Sequence, residues 1–111
     1  MKIIKAAIIG TGYGLRVQKG VIDNLKNIIL EKIYSRKKRG NLFTSRISNL
    51  VNNNLLDMIY IETPPNTHLK YLKLFKTKDV LLLCEKPLVS KKRELEYLIN
   101  NKKYFENKVF I

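Results

Sequence analysis

Residues 3–16 read IIKAAIIGTGYGLR, an apolar run that leads into a glycine-rich turn. A buried parallel strand needs a nearly continuous apolar run, and glycines let the backbone approach a diphosphate that faces the N-terminus of the next helix. This order predicts a strand, a tight turn and a helix. The third small residue of a G-x-G-x-x-G fingerprint would fall at Leu15, so a purely structural turn is the alternative.

Length and composition indicate one folded domain. The 111 residues can bury a core but are too few for two lobes of comparable size. The single cysteine, Cys84, excludes an internal disulfide and is interpreted as a small core residue, and no Cys/His spacing predicts a metal site. Lys5 interrupts the only apolar run that could act as a signal peptide. We therefore expect a cytoplasmic protein without a membrane span.

The chain is strongly basic, with a formal net charge of +13. Such a field can attract nucleic acid, an anionic membrane or a phosphorylated ligand. The lysines are scattered along the chain rather than gathered with aromatic residues into one stripe, so nucleic-acid binding is the less favoured interpretation. A phosphate-bearing cofactor would benefit from the same field.

The first half of the chain predicts a strand, helix and strand unit followed by a compressed segment. Four apolar residues share one helical face that can lie against a sheet: Val17, Val21, Ile22 and Leu25. Residues 28–34 predict the second strand, and residues 35–40 the loop that leaves it. A third strand must fit within residues 42–47, and a short helix ends near Val51, before three asparagines.

The second half predicts two further strand and helix pairs and one last strand. Strands are predicted over residues 57–62 and 80–84, and a last strand begins at 109. Asn66 or Thr67 is predicted to cap the helix between these strands, and Ser90 the helix after them. The first of these helices has an apolar face of Leu69, Leu72 and Phe75, and the second places Leu95, Leu98, Ile99 and Lys102 on one face.

Three of the predicted loops follow the carboxyl ends of parallel strands, at residues 10–14, 63–68 and 85–87. Ligands of open α/β sheets bind at that edge. We therefore expect the three loops to converge on one crevice.

Two of these loops carry motifs that resemble the Gfo/Idh/MocA oxidoreductases. The motifs are Thr63-Pro64-Pro65-Asn66-Thr67-His68 and, roughly 20 residues later, Cys84-Glu85-Lys86-Pro87-Leu88. The resemblance covers essentially all of the chain. It implies an α/β fold with a three-layer, Rossmann-type, doubly wound parallel sheet, forming a single NAD(P)-binding domain over residues 1–111. The family transfers hydride between a nicotinamide cofactor and a sugar, polyol or related substrate.

The resemblance also implies the site residues. The diphosphate would meet Gly10, Thr11, Gly12, Tyr13, Gly14, Leu15 and Arg16. The adenosine ribose would meet Ser35 and Arg36, the middle of the cofactor Thr63, Pro64, Pro65, Asn66 and His68, and the nicotinamide ribose Glu85, Lys86 and Pro87. Lys86 is the implied catalytic residue, because a lysine of lowered pKa can assist proton transfer. Without the resemblance, a histidine near a helix start is more often a capping or surface residue.

The loop after the second strand bears on the choice of cofactor. An acidic residue there binds the ribose hydroxyls of NAD, whereas Ser and Arg suit the 2′-phosphate of NADP. Ser35 and Arg36 occupy this place and no carboxylate accompanies them. A guanidinium can hold a phosphate through two parallel hydrogen bonds. The pattern favours NADP over NAD, and a solvated basic turn is the alternative.

Two features depart from the family. Glu62 stands where the family usually has a small or apolar residue, so its carboxyl group must be paired, protonated or exposed. The family's second, substrate-binding α/β domain has no counterpart in these residues. We therefore expect a cofactor-binding domain that is not catalytically complete alone, with a separate substrate-domain chain or a homo-oligomer as possible partners. A non-catalytic cofactor-binding or basic nucleic-acid-binding module is the alternative.

Overall fold

The computed structural model describes residues 2–10, 24–37 and 40–111. The predictions for Thr11 to Arg16 and for the helical face of Val17, Val21 and Ile22 lie outside these residues. Leu25 is described, and its prediction is wrong: it follows a turn, outside any helix, and is 44% exposed.

A parallel sheet forms the centre of the described fold. Its strands are β1 Ile4–Ile9, β2 Ile28–Tyr34, β3 Phe43–Thr44, β4 Met58–Ile61, β5 Leu81–Cys84 and β6 Val109–Phe110. Their order across the sheet is β3-β2-β1-β4-β5-β6, and every neighbouring pair is parallel. This is the order of a doubly wound Rossmann sheet, in which the direction of strand addition reverses between β1 and β4.

The helices are short and pack mainly on one face of the sheet. They are α1 Ser48–Val51, α2 His68–Leu74, α3 Lys92–Asn100 and α4 Lys102–Phe105, and a 3₁₀ turn, Pro65–Thr67, precedes α2. Leu50, Leu72 and Phe105 bring α1, α2 and α4 into one buried cluster with alternate strand residues such as Ile59 and Leu82. A smaller cluster around Ile8 and Ile33 lies on the opposite face.

Most predicted elements are confirmed. The bounds of β2 and the end of α1 at Val51 agree with the sequence patterns, and β1, β4 and β5 begin one residue later than predicted. The compressed third strand exists as a two-residue strand within residues 42–47. In the described ranges, no helix combines the length and the apolar character needed to cross a bilayer.

The predicted N-cap of α2 is correct in position but makes no side-chain capping hydrogen bond, and the predicted N-cap of α3 is wrong. Thr67 precedes α2, but its hydroxyl donates to the Pro64 carbonyl oxygen at 2.6 Å and lies 2.7 Å from Thr63 Oγ1. The Thr67 side chain makes no capping hydrogen bond to α2. Helix α3 begins after Lys91 rather than after Ser90. Glu94 Oε1 accepts hydrogen bonds from Ser90 N, Ser90 Oγ and Lys91 N, each at 3.0 Å.

The predicted apolar face of α3 is confirmed only for Leu98. Leu95 is 48% exposed and Ile99 is 62% exposed, and Lys102 belongs to α4. Tyr97 and Leu98 are the α3 residues that pack against the main core. The helix is therefore rotated relative to the prediction.

Candidate functional site

The crevice at the reversal point of the sheet begins at Gly10, directly after β1. Gly10 has a φ of +112°, and a Cβ atom placed on it would lie 2.4 Å from the Glu62 carbonyl oxygen. Its amide donates to the Tyr34 carbonyl oxygen at 3.0 Å, and the Glu62 amide donates to the Ile9 carbonyl oxygen at 2.8 Å. Only glycine fits this close approach of three strand ends.

A cleft of about 250 Å³ opens beside Gly10 at the carboxyl edge of the sheet. Its lining residues are Gly10, Tyr34, Ser35, Arg36, Lys37, Thr63 and Tyr71. The loops after β1, β2 and β4 therefore meet at one place. Gly10 of the first motif loop and Thr63 of the second thus line one cleft together with the loop after β2, and residues 11–14 of the first loop lie outside the described residues.

Sequence reasoning missed two aromatic residues of this cleft. Tyr34 ends β2 and Tyr71 lies on the buried side of α2, and their rings meet edge to face with centroids 6.2 Å apart. Tyr34 could have been recognised from the sequence, because it is the last residue of a predicted strand and directly precedes Ser35 and Arg36. Tyr71 could have been recognised only from its packing across the fold.

The loop after β2 presents positive charge beside this cleft. Ser35 is 4% exposed, and its Oγ accepts a hydrogen bond from the Lys37 amide at 3.3 Å. The Ser35 amide donates to the Thr44 carbonyl oxygen at 2.9 Å, which fixes the start of the loop. Arg36 and Lys37 are exposed, and residues 34–37 contain no carboxylate. The buried Ser35 thus fixes the start of a loop that contains two exposed cations, Arg36 and Lys37.

His68 connects the loop after β4 to the loop after β5. Its Nε2 lies 2.7 Å from the Thr63 carbonyl oxygen, and its Nδ1 lies 3.0 Å from the carbonyl oxygens of both Pro87 and Leu88. The residue is 0% exposed. The third motif loop is thereby held against the second. Contact between the imidazole and a cofactor stays a prediction, and the structure shows the ring fixing the two loops from within.

The other predicted residues of these loops reach the surface. Pro64, Asn66, Glu85, Lys86 and Pro87 are exposed, and Thr63 and Pro65 are partly buried. The Lys86–Pro87 peptide bond is cis. Their positions leave them accessible to a ligand.

Glu62 is the buried acid of the crevice. It is 8% exposed, and within the described residues its Oε1 has no hydrogen-bond partner. Burial, the charge of Glu85 and a side-chain hydrogen bond with Glu85 together raise the pKa of this carboxyl group to about 7. The prediction that Glu62 must be paired, protonated or exposed is confirmed.

Two neighbours of Glu62 are held in their neutral forms. Burial, followed by the charges of Glu62 and Glu85, raises the pKa of Tyr60. Burial raises the pKa of the Cys84 thiol to about 12, with Glu85 and Glu62 contributing. Cys84 is 5% exposed, so its interpretation as a core residue is confirmed.

A second cavity lies at the amino-terminal edge of the sheet. A space of about 330 Å³ there is lined by residues that include Leu50, Asp57 and Phe75. Asp57 has a structural partner, because its Oδ2 accepts a hydrogen bond from the Lys5 amide at 2.9 Å. None of the motif residues within the described ranges lines this cavity. Across the described ranges, no three His, Cys, Asp or Glu side chains cluster as metal ligands.

Comparison with known proteins identifies the family. Residues 4–111 match Gfo/Idh/MocA, described as an oxidoreductase family with an NAD-binding Rossmann fold. The chain belongs to this family. It is thus an NAD-binding Rossmann domain of the Gfo/Idh/MocA oxidoreductases, which confirms the resemblance seen in the motifs. No functionally curated protein matches the chain.

Solved structures of the same fold are much longer. A Bacteroides fragilis protein assigned as an oxidoreductase is 26% identical with a TM-score of 0.79, and the match covers 94% of this chain and 35% of that one. GenD2 from gentamicin A biosynthesis, in complex with NAD, is 19% identical with a TM-score of 0.81, covering 93% and 32%. The myo-inositol 2-dehydrogenase of Lactobacillus plantarum is 20% identical with a TM-score of 0.76, covering 92% and 33%. The chain spans about a third of the length of these structures.

Proposed function

We propose that this domain binds a nicotinamide dinucleotide across the carboxyl edge of β2, β1, β4 and β5, as part of an oxidoreductase that acts on a sugar, polyol or related alcohol. One observation carries the proposal: the cleft at the reversal point joins Gly10, Arg36 and Thr63. The close approach at Gly10 leaves no room for a side chain where a diphosphate would lie. GenD2, a structural neighbour, was solved with NAD.

We further propose that NADP is preferred to NAD. Arg36 and Lys37 are exposed at the end of β2, and Ser35 is anchored beneath them. A 2′-phosphate placed here would meet two cations, whereas the carboxylate that usually accepts the ribose hydroxyls of NAD is missing from residues 34–37. The family is described as NAD-binding, so the preference for NADP rests on this chain's own residues.

Titration of the purified protein with NADPH and NADH tests both statements. Arg36→Asp is expected to weaken NADPH binding about tenfold or more, since a charge-assisted hydrogen bond contributes about 1.5 to 3 kcal/mol. NADH binding should change about threefold or less, because it lacks the phosphate. Arg93→Asp, at an exposed position of α3, makes the same charge change away from the cleft and serves as the control.

Each outcome of this titration is informative. Absence of saturable binding of either nucleotide at low salt would refute the cofactor assignment. Equal losses for NADPH and NADH in Arg36→Asp would refute only the preference for NADP. Because exposed charges are screened over about 10 Å at 0.1 M salt, the NADPH titration should be repeated at two salt concentrations.

Lys86 is the residue proposed to handle the proton of the reaction. The bound dinucleotide supplies or accepts the hydride, and the alcohol that is oxidised must lose a proton to a nearby base. Lys86 lies exposed on the loop that His68 fixes against the Thr63 loop. Its Nζ can take that proton when the amine is neutral. Substrate contacts are proposed to come from outside this crevice, through a separate chain or a second copy.

Lys86→Met tests this role once a substrate has been found by screening sugars and polyols with both nucleotides. The turnover rate is expected to fall about a hundredfold or more, the usual contribution of a general acid or base. Dinucleotide affinity, measured in parallel, should fall far less than the rate. The exposed Lys91 provides a control substitution, Lys91→Met, four residues past Pro87. A turnover rate that survives Lys86→Met would exclude Lys86 as the proton carrier.

A further inference from the structure

Two glutamates stand side by side where β4 and β5 end. Ile61 of β4 pairs with Cys84 of β5, so Glu62 and Glu85 are the next residues on neighbouring strands. The Glu85 amide donates to the Ile61 carbonyl oxygen at 3.3 Å, and the Glu62 amide donates to the Ile9 carbonyl oxygen at 2.8 Å. Glu62 is therefore fixed between the end of β1 and Glu85, beside the reversal point where the dinucleotide is proposed to bind.

The two carboxyl groups differ in their surroundings. Glu62 is 8% exposed, whereas Glu85 is exposed to solvent. The charge of Glu85 and a side-chain hydrogen bond with it are among the causes that raise the pKa of Glu62, and because a carboxylate can only accept, such a bond needs one of the two groups to carry a proton. The buried member is the one whose charged form loses most solvation. Glu62 therefore donates through one oxygen to Glu85, and its other oxygen, Oε1, is the atom without a partner in the described residues.

Loss of this proton would change the loop after β5. Two carboxylates in contact repel each other, and the bond that joined them no longer has a donor. Glu62 is enclosed, so Glu85 is the member that can move away, and Lys86 follows it directly in the chain. Within the described residues, the titratable neighbours influenced by the charges of the pair are Tyr60 on β4 and Cys84 on β5, whose pKa values are raised first by burial and then by the two glutamates. On the side of β1, Glu62 meets backbone atoms. Its amide donates to the Ile9 carbonyl oxygen, and its carbonyl oxygen lies beside Gly10.

We propose that Glu62 is a positioning residue of the dinucleotide site: in its protonated form it holds Glu85 in the arrangement that binds the cofactor, and its ionisation releases Glu85. The inference rests on the proposed function, because it concerns the same crevice. Its consequence is that cofactor affinity decreases as the pH rises through about 7, where the raised pKa of Glu62 lies. The negative diphosphate of the ligand acts in the same direction, since it also disfavours a second carboxylate nearby.

The experiment compares NADPH dissociation constants at about pH 6 and pH 8 in the wild type, Glu62→Gln and Glu96→Gln. If only the protonated pair binds, the wild-type dissociation constant rises about tenfold over this range, as the protonated fraction falls. Gln at position 62 keeps an N–H donor for Glu85 and cannot ionise, so the change in Glu62→Gln should be about twofold or less. Glu96 is exposed on α3, and Glu96→Gln should behave as the wild type.

A second measurement works without ligand. In protein labelled with ¹³C at the glutamate carboxyl carbons, one signal should titrate near pH 7 in the wild type and be missing in Glu62→Gln. Absence of such a signal in the wild type would overturn the inference even if the variant failed to fold. Wild-type binding that is the same at both pH values would overturn it while leaving the proposed function intact. Failure of the wild type to bind at either pH would overturn both.

Discussion

His68 is a fully buried side chain that holds two loops of the site together. Its imidazole is fully buried and faces three carbonyl oxygens, those of Thr63, Pro87 and Leu88. These oxygens belong to two loops that the sequence separates by about 20 residues. Removing the ring would therefore take away the partner that these two loops share.

His68→Ala is therefore expected to lower the free energy of unfolding by about 2 to 4 kcal/mol, because it removes the hydrogen bonding between the two loops and leaves a cavity in place of a fully buried ring. Dinucleotide affinity should fall as well, since the two loops are no longer held together. Urea denaturation measures the first effect, and titration of the folded variant the second. Thr77→Ala, at an exposed position after α2, should change stability by about 0.5 kcal/mol or less. A His68→Ala protein as stable as Thr77→Ala would contradict this account.

Glu62 illustrates the limit of reading single residues from a sequence. A carboxylate after an apolar strand is visibly unusual, and the sequence predicts that it must be neutralised in some way. Which group neutralises it depends on the strand paired with β4. The register of β4 with β5 supplies Glu85, a second acid rather than a base.

Helix α2 is the element whose packing the sequence predicts best. Its apolar residues repeat at helical spacing, and the structure buries them: Leu69 is 8% exposed, Leu72 is 0% and Phe75 is 1%. Leu74, on the same helix, is 38% exposed. The spacing alone distinguishes the buried leucines from the exposed one, because only one side of α2 meets the sheet.

The pair Leu72→Ala and Leu74→Ala tests this packing with identical chemistry. Leu72→Ala should lower the free energy of unfolding by about 2 to 5 kcal/mol, as for other fully buried leucines. Leu74→Ala should cost about 1 kcal/mol or less, because much of its side chain is already in water. Thermal and urea denaturation, read by circular dichroism, measure both. Similar losses in the two variants would mean that α2 is rotated relative to the sheet.

Helix α3 shows why the same reasoning fails for a neighbouring element. Its sequence places apolar or aromatic residues at four nearby positions, Leu95, Tyr97, Leu98 and Ile99, so more than one face could pack. The structure packs the partly buried Tyr97 and Leu98 against the core, and the Tyr97 ring approaches that of Phe105 with centroids 6.5 Å apart. Lys76 Nζ also lies 3.4 Å from the Tyr97 hydroxyl. Contacts of Tyr97 with Phe105 of α4 and with Lys76, which follows α2, thus determine which face of α3 packs.

At the scale of the whole molecule, the net charge of +13 acts as a general field rather than as one binding surface. Some of the lysines that carry this charge lie over aromatic rings of the protein itself. Lys73 Nζ is 4.3 Å from the centroid of the Tyr97 ring, and Lys76 Nζ is 4.3 Å from the centroid of the Tyr104 ring. The attraction between an ammonium group and the face of an aromatic ring holds these lysine side chains near the rings. An anionic dinucleotide approaching Arg36 would still benefit from the field.

The sequence by itself determined the alternation of strands and helices, the glycine that must end β1 and the motifs that name the family. These features are local, because apolar runs, helical spacing and special backbone residues act within a few neighbouring positions. The tertiary structure alone decided the enclosure of His68, the face of α3, the tyrosines of the cleft and the pairing of Glu62 with Glu85. Each of these depends on contacts between residues far apart in the chain, and such contacts exist only after the parallel strands have taken their order and register.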